Sequence, residues 1–289
     1  MPSLNYVAPT TVNDAVKILA DASGPTRVMS GGTDLLVQLR AGRISPELIV
    51  DTKKIPGIMG ITGSAAEGFT IGAATTGAEL GDHKALKAAY PGVVEAANLI
   101  GSKQVQGRAS LAGNLCNASP AADSVPAVVA AGGTVTIAGP TGTRTVPAET
   151  VVTAPGRTSL AKGEFIVSFH LPAITGKTSD AYLRFIPRTE MDIAVVGCGV
   201  SVTVDASGTI TAAKISLGAV APTQVPVDAS CIIGTKLDDA ALEKLDAAAQ
   251  AMCNPIDDKR GTIEFRTKVA GVLARRTAKI AYDRAQART

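Results

Sequence analysis

The segment VMSGGTDLLVQLRAG, Val28 to Gly42, sets an apolar pair ahead of two adjacent glycines, followed by Leu35, Leu36 and Leu39 at helical spacing. This order reads as strand, tight turn, helix. Gly31 and Gly32 accept positive φ and, lacking Cβ atoms, let another group approach the backbone. Thr33 or Asp34 is placed to cap the helix that follows. The amides of such a turn, at a helix start carrying partial positive charge, suit an anion, a phosphate above all. The same residues also make an ordinary strand-to-helix turn, a common role for Gly-Gly.

The neighbouring segments extend the pattern. Val12 to Ala22 reads as a helix with Val16, Ile18 and Leu19 inward, and Glu47 to Lys54 as a short strand, giving a small β-α-β unit that ends near residue 55. A second unit opens with a strand over Phe69 to Ala74, a helix over Thr75 to Leu80 and another over Val93 to Ile100. The stretch from Ser102 onward shows little periodicity until a short helix, Asp123 to Ala131. TVTIAG and EFIVSFHLP are strands with irregular loop between them. GKTSD, Gly176 to Asp180, is polar and reads as a domain linker. Beyond it, AYLRFI, IAVVGCGVSVTVD and TITAAKISLGAV are strand-like, the last two joined as a hairpin at DASG. Two helices close the chain, Asp239 to Met252 and Ile263 to about Ala285. The second places Phe265, Val269, Val272, Leu273 and Ile280 on one apolar face.

Composition excludes several classes of function. A net charge of +3 in 289 residues gives no electrostatic reason for nucleic acid or a membrane surface. With 3% aromatics and no Trp, stacking on single strands lacks its usual side chains. Cys116, Cys198, Cys231 and Cys253 are scattered, with no C-x-x-C pair, so zinc or iron–sulfur ligation by this chain is not expected. No apolar run is long enough to span a bilayer, and the start has no signal-peptide pattern. A cytoplasmic protein is expected.

Two further constellations carry chemistry. SLAGNLCNASPAADS, Ser110 to Ser124, is a second loop of small residues, with Ser110, Asn117 and Ser119 as hydrogen bonders and Asp123 as a carboxylate fit to accept from ribose or ribityl hydroxyls. It also reads as a surface loop in which Asp123 caps the next helix. In RFIPRTEMDIAVV, Arg184 and Arg188 have the even spacing of one strand face, and a cation there suits a flavin or a phosphate. An exposed charge pair with Glu190 and Asp192 is the other reading. The nucleotide motifs G-x-x-x-x-G-K-[ST] and G-x-G-x-x-G are absent. His83 and His170 belong to no triad, and no cluster suggests a metal site.

Taken together and in order, SGGTDLL, GSKQV (Gly101 to Val105), SLAGN, the Ala118-Ser119-Pro120 step before Asp123 and Pro126, EMDIA, and EFRTKVAGVLARR resemble the flavin-binding medium subunits of the molybdenum hydroxylases, the xanthine dehydrogenase and aerobic carbon monoxide dehydrogenase group. The resemblance covers essentially the whole chain. It implies an α+β fold. Residues 1–175 form an FAD-binding domain of the PCMH type, vanillyl-alcohol-oxidase-like, with subdomains of about 1–55 and 56–175. Residues 177–289 form a C-terminal domain of antiparallel sheet plus helices. It implies that Ser30, Gly31, Gly32, Thr33 and Asp34, with Ser110, Leu111, Ala112, Gly113 and Asn114, wrap the FAD pyrophosphate non-covalently. Asp123 then contacts FAD hydroxyls, and Ile100 and Ile166 lie beside the cofactor. Arg184 stands where relatives often carry Lys, keeping the charge with a different donor geometry, and Ala112 stands where they usually carry Gly. The implied activity is electron transfer. [2Fe-2S] clusters on a small partner subunit deliver electrons from substrate hydroxylation at a molybdenum cofactor on a large partner subunit, and the flavin passes them to an external acceptor. A dimer of heterotrimers is the implied assembly, and no side chain of this chain acts as a catalytic group. A self-sufficient FAD-dependent reductase or oxidase of the same fold is the alternative.

Overall fold

A computed structural model describes residues 4–288. Its first layer is a small parallel sheet in the order β1-β3-β2, from β1 (Asn5–Val7), β2 (Thr26–Met29) and β3 (Leu48–Asp51). Helix α1 (Val12–Asp21) crosses between β1 and β2, capped by the Thr11 hydroxyl on the Asp14 amide, and α2 (Leu35–Arg40) between β2 and β3. Parallel strands need such crossovers. Strand β1 was not anticipated.

The next layer is a five-stranded antiparallel sheet, β4-β5-β10-β6-β7, formed by β4 (Ile61–Ser64), β5 (Gly68–Gly72), β6 (Thr134–Gly139), β7 (Gly142–Pro147) and β10 (Phe165–Leu171). The hairpin β8 (Val152–Ala154) and β9 (Arg157–Thr158) lies between β7 and β10. The expected irregular loop between TVTIAG and EFIVSFHLP therefore contains three strands. Six short helices fill the span between β5 and β6: α3 (Gly77–Asp82), α4 (Lys84–Ala89), α5 (Pro91–Ala97), α6 (Lys103–Gln106), α7 (Leu111–Cys116) and α8 (Ser124–Ala130). Of these, α6 and α7 lie where little regular structure was expected.

The last part is a four-stranded antiparallel sheet in chain order, β11 (Lys177–Phe185), β12 (Val196–Val204), β13 (Ile210–Gly218) and β14 (Val225–Val227), with α9 (Asp239–Ala251) and α10 (Ile263–Gln286). GKTSD is not a linker. Its residues from Lys177 pair with β12 from Val204 onward. The buried stripe of α10 is also shifted from expectation. Ala270, Leu273, Ala274, Ala278, Ala281 and Ala285 are buried, whereas Phe265 is exposed. Alanines let the helix lie close on the sheet, so the small side chains mark the inward face.

Two hydrophobic cores result, one drawn from residues between Ala15 and Tyr182, the other from Ala181 to Ala285. A buried carboxylate joins them. Asp180 of β11 accepts from the Gly92 amide at 3.0 Å and the Val93 amide at 3.1 Å, at the start of α5. A Cβ on Gly92 would lie 2.7 Å from the Ala181 backbone, so glycine allows this close approach.

Candidate functional site

The two glycine loops meet. Ser30 follows β2 and Ser110 precedes α7, and their hydroxyls are 2.8 Å apart across 80 residues of sequence. The proton order follows from the other partners. Ser110 Oγ accepts from the Gly113 amide at 3.2 Å. Ser30 Oγ donates to the Ala73 carbonyl at 3.2 Å, so Ser110 donates to Ser30. Further along, Gln38 Nε2 donates to Asn117 Oδ1 at 2.9 Å. Gly31 sits where the loops touch most closely: a Cβ there would lie 1.8 Å from the Arg108 carbonyl oxygen. Gly32 adopts φ +79°, the left-handed region that favours glycine. The two glycines thus serve different needs, one a close approach and the other a turn.

Between the loops runs a cleft of about 920 Å³, within the range of about 300–1,000 Å³ usual for small-molecule sites. Ser30, Gly31, Gly32, Thr33, Asp34, Ile100, Ser110, Ala112, Gly113, Asn114 and Ile166 line it. Leu111 is buried and is not part of the lining. The site therefore gathers residues from both glycine loops, from the turn after α5 and from β10.

The polarity of the cleft comes from its backbone. Among the described residues, the amides of Gly31, Gly32, Thr33, Asp34 and Leu35, and of Ala112, make no hydrogen bond within the chain, whereas Leu111 follows the Thr76–Ser110 bridge. Side-chain charges on the lining nearly cancel: Arg27 and Lys162 against Asp34 and Glu164. Glu164 is also paired with Arg144 at 2.8 Å. Burial raises the Asp34 carboxyl above its ordinary value. Asp34 also forms no side-chain cap on α2, contrary to the sequence expectation, so its fitness for an anion lies in its amide. A row of unpaired amides with glycine access fits a diphosphate. Helix α2 has only six residues, so these donors, more than a macrodipole, supply the attraction.

Asp123 and Arg184 lie outside this lining but are brought together. Arg184 Nη1 donates to Asp123 Oδ2 at 2.8 Å, and the Tyr182 hydroxyl to Asp123 Oδ1 at 3.3 Å. Burial pushes the Asp123 carboxyl up to about 6, against the pull of Arg184 and Tyr182. The Arg184 side chain is only 5% exposed, and its Nε has no partner among the described residues. Asp123 therefore neither caps the next helix nor sits on the surface. Asn114 Oδ1, on the cleft, accepts from the Ser124 amide at 3.0 Å and ties the two places together. Arg188 does not share a strand face with Arg184, because β11 ends at Phe185. Arg188 instead pairs with Asp192 at 2.9 Å in the exposed turn beyond. Gln38 and Arg108 were missed as site-forming residues. Asn117 stood in the sequence as a hydrogen bonder, but nothing local marks its partner.

Comparison with known proteins decides the family. Residues 2–174 match the model for the FAD binding domain in molybdopterin dehydrogenase, and residues 181–281 match that for the CO dehydrogenase flavoprotein C-terminal domain. The chain belongs to the FAD-binding subunits of the molybdenum hydroxylase family. The carbon monoxide dehydrogenase medium chain of Hydrogenophaga pseudoflava is 31% identical over 98% of this chain and 98% of its own. A xanthine dehydrogenase FAD-binding subunit of Escherichia coli is 31% identical over 76% of this chain and 75% of its own. Among solved structures, reconstituted CO dehydrogenase from Oligotropha carboxidovorans superimposes with a TM-score of 0.92 at 31% identity, covering 98% of this chain and 99% of that one. Family membership makes FAD the cofactor of this chain. No helix among the described residues is long and apolar enough to cross a membrane.

Proposed function

We propose that the chain is the electron-transferring flavin subunit of a multi-subunit molybdenum hydroxylase, with the FAD diphosphate held between the Ser30–Leu35 and Ser110–Asn114 loops. The observation that carries this is the pairing of two amide-rich loops across one cleft, joined through the Ser30 and Ser110 hydroxyls. FAD, when bound, supplies the exchange between one-electron and two-electron transfer. The chain itself binds, orients and shields. Unpaired amides on both loops grip the charged bridge. Ile100 and Ile166 offer apolar surface along the cleft. The Arg184–Asp123 pair, with Asp123 one residue from Ser124 and thus linked to Asn114, sets a buried charge pair one residue removed from the cleft lining. No side chain is assigned the role of nucleophile or general base.

Relatives are named as the medium chain or the FAD subunit of larger enzymes. These names support partner subunits; we infer a small one bearing [2Fe-2S] clusters and a large one bearing the molybdenum cofactor, and as the assembly a dimer of heterotrimers in the cytoplasm. The four cysteines of this chain are all free, and no metal-binding cluster occurs among the described residues. Purification of the chain with its native partners tests the reading. Stoichiometric FAD released on denaturation, with iron and molybdenum in the other chains, is the expected result. A purified chain that takes up no FAD from an excess of the cofactor refutes it.

A further inference from the structure

Helix α2 has no buried residue. Leu36 and Val37 are 44% and 63% exposed, and neither Leu35 nor Leu39 joins a hydrophobic core. A six-residue helix with no fully buried residue, only the half-buried Leu35 and Leu39, is marginal by itself. Yet α2 carries the end of the first glycine loop and stands over the cleft, so something polar must hold it. That link is the 2.9 Å bond from Nε2 of Gln38, the fourth residue of α2, to Asn117 Oδ1 at the C-terminal end of α7. Each side chain makes this one side-chain bond, and both residues line the cleft from opposite loops.

We propose that Gln38 and Asn117 form a latch that holds α2 closed over the bound flavin, making them positioning residues that set the rate at which FAD leaves. This rests on the placement of FAD between the loops given above. Release requires the first loop to part from the second. The Ser30–Ser110 bond joins the two loops at the glycine turn, and Gln38–Asn117 joins the helices that follow them. Without the latch α2 is held only by the half-buried Leu35 and Leu39 and opens more often, which shortens flavin residence without altering the donors that contact the diphosphate.

The test is a double-mutant cycle in the full-length chain loaded with FAD. Gln38→Met keeps length and helix propensity but cannot donate, and Asn117→Ala removes the acceptor. Each single variant should release FAD about fivefold faster, the ordinary net worth of one hydrogen bond, followed as recovery of free-flavin fluorescence. The double variant should release it no faster than either single one, since both remove the same bond. The thermal midpoint of the flavin-free chain should not move, because α2 contributes nothing to either core. Amide exchange at Gln38 to Arg40 should quicken in all three variants. Unchanged release rates, or effects that add in the double variant, overturn the latch while leaving the FAD site intact. A wild-type chain that binds no FAD overturns the site itself.

Discussion

Alanine at position 31 is the sharpest probe of a site built from two opposed loops. Its Cβ would lie 1.8 Å from the Arg108 carbonyl oxygen and 2.6 Å from the carbonyl carbon, where ordinary contact starts at 3.4 Å. The obstacle is main chain and has no rotamer to change. The loops must part by roughly 1.5 Å, an overpacking strain typically worth about 1–3 kcal/mol. A displacement of that size breaks the 2.8 Å bond between Ser30 and Ser110 and takes the two rows of amides out of common reach. Charge-assisted hydrogen bonds are worth about 1.5–3 kcal/mol each. Losing one or two weakens FAD by about 3 kcal/mol, close to a hundredfold in Kd. The assay is quenching of flavin fluorescence on titration of flavin-free Gly31→Ala with FAD. Two comparators give the ranking. Gly32→Ala meets only the flexible Met29 side chain at 3.2 Å, so its penalty is the strain of φ +79°, about 1–2 kcal/mol. Gly42→Ala also has positive φ but nothing within 4 Å and lies off the cleft, so FAD affinity is retained. If Gly31→Ala binds FAD as Gly42→Ala does, the two loops do not form the site in the way described.

Two further perturbations test the buried carboxylates. Arg184→Met strands Asp123 in a buried position, and removal of one partner from a buried pair costs about 3–5 kcal/mol. Urea unfolding of the flavin-free chain should show most of that loss, and adding Asp123→Asn should recover most of it. Additive losses in the double variant count against the pair. For Asp180, burial pushes the carboxyl up to about 7, outweighing the Gly92 and Val93 amides that pull it down. The native state then keeps a proton that the unfolded chain has released at its ordinary value of 3.8. Stability from this group is therefore present at low pH and falls as pH climbs from about 4 to about 7, by up to about 1.4 kcal/mol per unit. Denaturant midpoints across that range should flatten in Asp180→Asn, and an unchanged slope there would show that Asp180 stays ionised throughout.

What could be read in the sequence follows from which interactions are local. The Gly31–Gly32 turn, the small-residue loop at Ser110, strands β5, β6, β10, β12 and β13 and helices α1, α9 and α10 carry their signal within a few residues. Strand β7 does not: nearly all of it is exposed, so GTRTVP shows no alternation. Helices α6 and α7 have four and six residues, too short to display a period of 3.6. The polar start of β11 looked like a linker because its partners are remote. Asp180 is satisfied by amides of α5, and Thr178 by the Thr203 hydroxyl at 2.7 Å. The same holds at the site. Both loops were legible, but their contact was not, since Gly31 needs no side chain because of Arg108, and Gln38 meets Asn117 from 79 residues away. Asp123 and Arg184 were each legible as candidates. Their mutual bond, which takes Asp123 out of any capping role, exists only once β11 is laid beside α8.

The position of the cleft bears on how the flavin-free chain behaves. The five-stranded sheet packs with the helices around it in the first core, and the second core is built by α10 on β11 and β12. The seam between the glycine loops is instead closed by two hydrogen bonds, a backbone apposition at Gly31 and a helix with no buried residue. Local opening follows the lowest density of buried apolar contact, so the loops part at a smaller free-energy cost than either core unfolds. In the proposed placement, FAD bound to both loops stabilises only the closed arrangement. At a free concentration one hundred times its Kd it adds about 2.7 kcal/mol, and this gain falls on the seam. The cofactor thus completes the closure that the side chains leave weak. For the same reason, protection from amide exchange on adding FAD should concentrate at Gly31 to Arg40 and Ser110 to Asn117. Protection spread evenly over α10 and β12 would mean that FAD stabilises the chain globally and that the seam is no weaker than the rest.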